Sequence, residues 1–155
     1  MPSRWTPGYS SPITLQLVGP QSWTEVPALL CYDASDPFAV RIAFGDVGDQ
    51  NGVVDLDRGG IAWLLSRELL QSALESPAGD GDVRLWPAHA TTDVLFLHLR
   101  APSGEALFEL SRATVAAFLR QSERLVPSGS ESALLDLDDK LAVLLSNGGA
   151  DPTGR

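Results

Sequence analysis

The sequence has 155 residues, of which 44% are hydrophobic and 20% charged, and these values predict one soluble domain with a core that needs no disulfide or metal. A single cysteine, Cys31, excludes an internal disulfide, and its apolar surroundings indicate a small buried hydrophobic residue. The net charge of −9 and the lack of a basic run argue against binding to nucleic acids or to anionic membranes.

The N-terminal region has no pattern of a secretory signal. Residues 1–12 are polar and contain three prolines, and the apolar run at 13–18 is too short for a signal core. Nothing in the sequence approaches the ~18 apolar residues that cross a bilayer. We therefore expect a cytoplasmic protein without direct membrane insertion.

Strand patterns dominate the first half of the sequence. Residues 1–11 are rich in proline, serine and glycine and are predicted to be a flexible tail. Alternating or β-prone apolar residues then predict strands at 13–18, 26–32, 38–44 and 61–65. Short turns separate the first three, which favours antiparallel neighbours.

An acidic, glycine-rich loop occupies residues 45–60, and its role is left open by the sequence. Asp49 and Asn51 resemble the start of an EF-hand loop. However, Val53 stands at a ligand position and Gly60 at the place of the terminal glutamate. We therefore predict no metal site here and no cofactor for the chain.

A helix follows the strand at 61–65, with Ser66 as its N-cap and a stop at residues 77–81. A second round begins with strands at 83–87, Asp93–Ala101 and Glu105–Leu110. The last two strands are joined by a hairpin turn at residues 102–104.

Two more helices are predicted, one from Ser111 and one from Asp136 to the Asn-Gly-Gly sequence at 147–149. Strands followed by a helix, twice, indicate an antiparallel α+β fold with packed helices. The predicted organisation is a flexible tail at 1–11, a single domain at 12–147 and a second tail at 148–155.

Motifs for catalysis are missing. The glycines of residues 45–60 match no phosphate-binding loop, and there is no nucleophile elbow. The two histidines, His89 and His98, lack cysteine partners for a zinc site. We predict no catalytic residue and no enzyme activity, and a hydrolase that uses His89 or His98 stays a minor hypothesis.

The tryptophans raise one question. Trp63 lies in an apolar strand and is assigned to the core. Trp86 lies on the strand face opposite Val83 and Leu85, where it either packs under a helix or anchors a partner protein.

An ordered set of segments resembles the SsgA-like family of actinomycetes. These segments are residues 26–33 with 36–40, 63–70, 81–87, 102–107, and the stretch from 118–119 through 126–129 to 135–138. They cover most of residues 13–146. The sequence departs from the family pattern at Ser66-Arg67-Glu68, where the family tends to have Ala-Arg-Asp, and in the long 45–60 loop.

The resemblance implies a non-enzymatic adaptor of cell division that controls where sporulation septa form. Family members cooperate with other SsgA-like proteins and recruit the tubulin-like protein FtsZ. The resemblance also implies a Whirly-like architecture assembled as a homotrimer, located in the cytoplasm at the division septum. Other Whirly-like proteins bind single-stranded nucleic acid, which is the alternative function, although the charge of −9 opposes it.

The family residues that can be identified belong to the framework and none to a catalytic site. An exposed apolar or aromatic patch on a strand face is the natural surface for a partner protein. We predict this partner-binding surface at Trp86, Phe96 and His98.

Overall fold

The computed structural model of the chain describes residues 4–5, 8–44, 54–55, 61–89, 91–132 and 143–145. The strands and longer helices in these ranges are β1 (Arg4–Trp5), β2 (Tyr9–Val18), β3 (Trp23–Tyr32), β4 (Ala39–Phe44), β5 (Val54–Asp55), β6 (Ile61–Ser66), α1 (Arg67–Ala73), β7 (Val83–Pro87), β8 (Val94–Ala101), β9 (Gly104–Ser111) and α2 (Arg112–Leu125).

Seven strands form one antiparallel sheet in the order β6-β4-β3-β2-β9-β8-β7, and β1 pairs with β5 separately. The two rounds of strands meet where β2 pairs with β9, at Gln16 opposite Glu109 and Leu17 opposite Phe108. This arrangement confirms the predicted antiparallel α+β fold. The likeness to the Whirly type stays a prediction.

One face of the sheet forms the core together with both helices. Side chains alternate along each strand, so every second residue points to this face. The buried residues of the core come from all seven strands and both helices, as shown by Leu15, Leu30, Ile42, Leu65, Leu70, Leu85, Leu97, Phe108 and Phe118.

Each helix follows directly from a strand, and a serine caps its start. The Ser66 hydroxyl accepts a hydrogen bond from the Leu69 N–H at 2.8 Å, and the Ser111 hydroxyl accepts one from the Thr114 N–H at 3.1 Å. These contacts satisfy backbone donors that have no partner inside the helix. The predicted N-cap at Ser66 is therefore confirmed, and the helix predicted from Ser111 begins with that serine as its cap.

The N-terminal strand is longer than the sequence pattern indicated. β2 begins at Tyr9, inside the segment predicted as a flexible tail at 1–11, and Tyr9 pairs with Tyr32 of β3. The Tyr9 ring also lies 5.5 Å from the Phe118 ring of α2. The pairing with β3 and the contact with α2 both involve residues that are distant in the sequence, so no local pattern predicts them.

Several predictions fall largely outside the described residues. They concern the acidic loop at 45–60 apart from β5, the helix from Asp136 to residue 147 and the tail at 148–155. Residues 143–145, which are described, are helical and exposed.

Candidate interaction surface

The three predicted partner-binding residues lie together on two neighbouring strands. Trp86 of β7 pairs with Phe96 of β8, and their ring centroids are 5.6 Å apart at an interplanar angle of 31°. His98 lies two residues along β8, opposite Arg84. The intervening Leu97 is buried in the core, so this aromatic face is the side of the sheet away from the core.

A carboxylate fixes the histidine of the aromatic face. The His98 Nε2 atom lies 2.7 Å from the Glu105 Oε1 atom of β9. The His98 side chain is 20% exposed and the Glu105 side chain 64% exposed. This hydrogen bond holds the imidazole ring in one orientation beside the aromatic pair.

The aromatic face has an apolar centre with polar neighbours. Trp86 and Phe96 are half-buried, and Arg84 and Glu105 are exposed beside them. Large aromatic side chains next to charged groups are typical of protein–protein contact surfaces. Trp86 does not pack under α1 or α2, because Leu85, on the opposite face, joins the core that contains these two helices.

Sequence reasoning missed the most buried charged group among the described residues. Arg67, the first residue of α1, is only 1% exposed. Its Nη1 donates hydrogen bonds to the carbonyl oxygens of Ser122 at 3.1 Å and Val126 at 2.7 Å, and its Nη2 donates to the Glu131 carboxylate at 2.7 Å. Its guanidinium also lies 5.0 Å from the Tyr32 ring centroid. We name this cluster the arginine junction.

The acids of the arginine junction are held in their charged form. The Arg67 guanidinium donates to Glu131 and lowers the pKa of that carboxyl. The Ser128 hydroxyl donates to Glu123 and lowers the pKa of Glu123, with further help from Ser128 N–H and Gln71. The junction therefore ties α1, the end of α2 and the turn after it into one unit.

No local signal reveals the arginine junction. Arg67 follows an N-cap serine, where an arginine is usually solvated, and its partners lie 55–64 residues away in the sequence. Its appearance inside one of the family-like segments, 63–70, is the only hint that the sequence offers.

Cys31, His89 and His98 lie in three different surroundings. Burial raises the pKa of the Cys31 thiol to about 12, which keeps it protonated and unreactive. His89 lines a small pocket with Glu75 and Arg112, and His98 is not part of it. In the ranges that the structure describes, histidine, cysteine and carboxylate side chains form no group that could hold a metal ion.

The same part of the chain contains no helix that is long and apolar enough to cross a membrane.

Comparison with known families places the chain clearly. Residues 26–131 match the family described as Streptomyces sporulation and cell division protein, SsgA. This region contains Arg67 and the whole aromatic face.

Curated relatives match over most of their length. The chain is 41% identical over 138 residues to the sporulation-specific cell division protein SsgB of Frankia casuarinae, with 88% of this chain and 90% of that protein covered. It is 34% identical over 131 residues to SsgB of Streptomyces coelicolor, with 84% and 89% covered.

Solved structures agree with the sequence comparison. An SsgA-like sporulation-specific cell division protein from Thermobifida fusca superposes with a TM-score of 0.71 at 33% identity, covering 86% of this chain and 93% of that one. An SsgB structure from Streptomyces coelicolor gives a TM-score of 0.67 at 35% identity, covering 80% and 92%. The chain therefore belongs to the SsgA family of sporulation and cell division proteins.

Proposed function

We propose that this protein is a non-enzymatic adaptor that controls the placement of sporulation septa by recruiting division proteins such as FtsZ. The observation that supports this most is its 41% identity, along 88% of the chain, to a sporulation-specific cell division protein. The names of the relatives favour a role in division over the alternative, single-stranded nucleic-acid binding.

The partner contacts the aromatic face in this proposal. Trp86 and Phe96 provide a large apolar area with few rotatable bonds, which lowers the entropy lost on binding. His98, oriented by Glu105, adds a polar group at the border of that area. A protein partner rather than a substrate fits this face, because it is the surface of two neighbouring strands.

The adaptor acts as a homotrimer in the cytoplasm at the division septum, where a second SsgA-like protein helps to position it. This assembly follows from the family resemblance, and it gives each particle three copies of the aromatic face. Repeated copies raise the apparent affinity for a polymeric partner such as FtsZ.

Light scattering tests the assembly and the partner together. We expect a mass near that of three chains, which increases when purified FtsZ from the same organism is added. A mass of one chain that does not respond to FtsZ would contradict both parts of the proposal.

Substitutions test the aromatic face itself. Trp86→Ala and Phe96→Ala are expected to weaken FtsZ binding by at least about tenfold, as for aromatic residues at interface centres. Trp23→Ala is the matched control, because Trp23 is 54% exposed on β3, which β2 and β9 separate from β8. Equal binding by all three variants would show that the partner uses another surface.

A deletion strain provides the biological test. Misplaced or missing sporulation septa are expected, and complementation with the Trp86→Ala gene should fail while the Trp23→Ala gene restores septation. Normal septation in the deletion strain would contradict the proposed role in division.

A further inference from the structure

The two edge strands of the seven-stranded sheet, β7 and β6, differ in how far described residues cover their outer backbone groups. On the outer side of β7, the Ala78 N–H donates to the Leu85 carbonyl at 2.8 Å, and the Leu85 N–H donates to the Ala78 carbonyl at 3.0 Å. Pro87, at the end of the strand, has no N–H to offer. The β7 edge is therefore protected against another strand.

The β6 edge has no such protection among the described residues. The Arg67 N–H donates to the Phe38 carbonyl at 2.7 Å, next to the β4–β6 pairs. Bonded and non-bonded pairs alternate in an antiparallel ladder, so the N–H and C=O groups of Ala62 and Leu64 point away from β4. No described backbone group accepts or donates there.

Apolar side chains accompany this open edge. Ile61 is 59% exposed and Leu64 is 55% exposed, which is unusual for an edge strand of a soluble protein. Natural edges usually carry lysine, proline or a bulge at such positions. An edge with free backbone groups and apolar side chains is suited to pairing with an added strand.

An apolar groove begins at the same strand. Ile61 and Trp63 line a groove of about 460 Å³ together with Phe44, Leu99 and Phe108. A strand placed beside β6 would point every second side chain toward this groove. The backbone edge and the groove thus form one surface, and each part recognises a different feature of an extended chain.

The net charge of the protein indicates which kind of peptide segment this surface would bind. Among the described residues that line the groove, Glu105 is the one charged residue, and its carboxylate is bonded to His98 on the other face of the sheet. The charge that a bound segment meets is therefore that of the whole protein, which is −9. A second copy of the protein would bring the same negative charge, whereas a basic segment is attracted.

We propose that the β6 edge binds an extended segment of a different protein, with apolar side chains at alternate positions and lysine or arginine at its ends. The backbone of the segment pairs with Ala62 and Leu64, and its apolar side chains fill the groove. This surface lies on the opposite side of the sheet from the aromatic face, with Glu105 of β9 at the border of both, and the proposal does not depend on FtsZ recruitment. With it, one chain holds two partners at the same time.

A fluorescein-labelled peptide of alternating valine and threonine, with lysines at both ends, tests this proposal by fluorescence anisotropy. We expect saturable binding to the wild-type protein. Ala62→Pro removes only an outward N–H, and Leu64→Lys adds a repelling charge, so each should weaken binding by about tenfold. Trp86→Ala should bind the peptide like the wild type.

Two controls separate strand pairing from other effects. The same peptide with N-methyl groups on alternate amides cannot donate backbone hydrogen bonds and should not bind. Circular dichroism shows whether Ala62→Pro is folded. If this variant unfolds, Leu64→Lys and the methylated peptide still test whether the peptide pairs with the β6 edge.

Three outcomes would overturn the proposal. These are no binding of the peptide to the wild type, equal binding of the methylated peptide, or full binding by folded Ala62→Pro and Leu64→Lys proteins. Dissociation of the wild-type assembly by Leu64→Lys, without peptide binding, would identify a second copy as the occupant of the edge and would also overturn it.

Discussion

The starts of the two helices carry the same dipeptide and use it in the same way. Ser66-Arg67 begins α1 and Ser111-Arg112 begins α2, with the serine as N-cap in both. Each arginine donates to a carbonyl at the C-terminal end of the other helix. Positive charge is favourable there, because helix carbonyls without partners give that end a partial negative charge.

The two arginines differ in burial. Arg67 is 1% exposed and bonds to the Val126 carbonyl at 2.7 Å. The Arg112 side chain is 37% exposed and bonds to the Leu74 carbonyl at 2.9 Å and to exposed Glu75 at 3.1 Å. The local sequence determines the N-cap and which helix end the arginine can contact. Its contribution to the free energy of unfolding depends instead on how far the rest of the fold buries it.

Arg67→Ala tests the buried side of this comparison and should have the largest effect. It removes the guanidinium that donates to the Ser122 and Val126 carbonyls and to the Glu131 carboxylate, and it opens a cavity beside Tyr32. We expect a loss of about 3–5 kcal/mol in the free energy of unfolding, measured by urea denaturation. Arg67→Lys should recover only part of this loss, because a lysine lacks the planar fork. A loss below about 1 kcal/mol would show that the junction is not structural.

Glu131→Gln isolates the carboxylate of the junction. Arg67 lowers the pKa of Glu131 below its ordinary value of 4.5, so the charged form stabilises the fold above about pH 4.5. This contribution is lost as the pH falls through the lowered pKa. We expect the variant to be about 2 kcal/mol less stable at pH 7 and to approach the wild type at acid pH. Glu75→Gln, at the exposed pair, is the control, and a difference independent of pH would contradict the assignment.

Arg112→Ala tests the exposed side of the comparison. Solvent can replace part of its hydrogen bonding, so the expected loss is about 1.5 kcal/mol, clearly smaller than for Arg67→Ala. Thermal unfolding followed by circular dichroism measures it. Equal losses of unfolding free energy for Arg67→Ala and Arg112→Ala would mean that burial does not determine how much each arginine stabilises the fold.

The smallest expected effects concern the caps. Ser66→Ala should cost about 1 kcal/mol, since the Leu69 N–H loses its acceptor. Ser111→Ala should cost about half as much, because the Asp93 carboxylate still accepts a hydrogen bond from the Ala113 N–H at the same helix end. Urea denaturation of the two variants side by side would reveal the difference, and the reverse order would contradict this role of Asp93.

Local patterns predicted much of the fold. Ser66 before an apolar helical stripe predicted the first N-cap, and the alternation along residues 93–101 puts Leu97 and Phe96 on opposite faces of the strand. The pairing of Trp86 with Phe96 depends on the β7–β8 register, which a short loop between two recognisable strands makes accessible to sequence reasoning.

Other features depend on contacts that are distant in the sequence and could not be predicted. The burial of Arg67 comes from α2 and the turn after it, and Tyr9 at the start of β2 has its partners in Tyr32 of β3 and Phe118 of α2. The difference between the two sheet edges likewise depends on the Ala78 bridge and on the order of the strands. Periodicity describes one element at a time, so it gives no information on such neighbours.

The pairing of β2 with β9 has a consequence for how the protein is made. Gln16 meets Glu109 in the middle of the seven-stranded sheet, so the centre of this sheet joins the first and the last of its strands along the chain. A ribosome must release nearly all of the first 111 residues before this pair can form. Until then the nascent chain exposes the apolar side of β2 and β3, and it depends on rapid completion of synthesis, or on chaperones, to avoid aggregation.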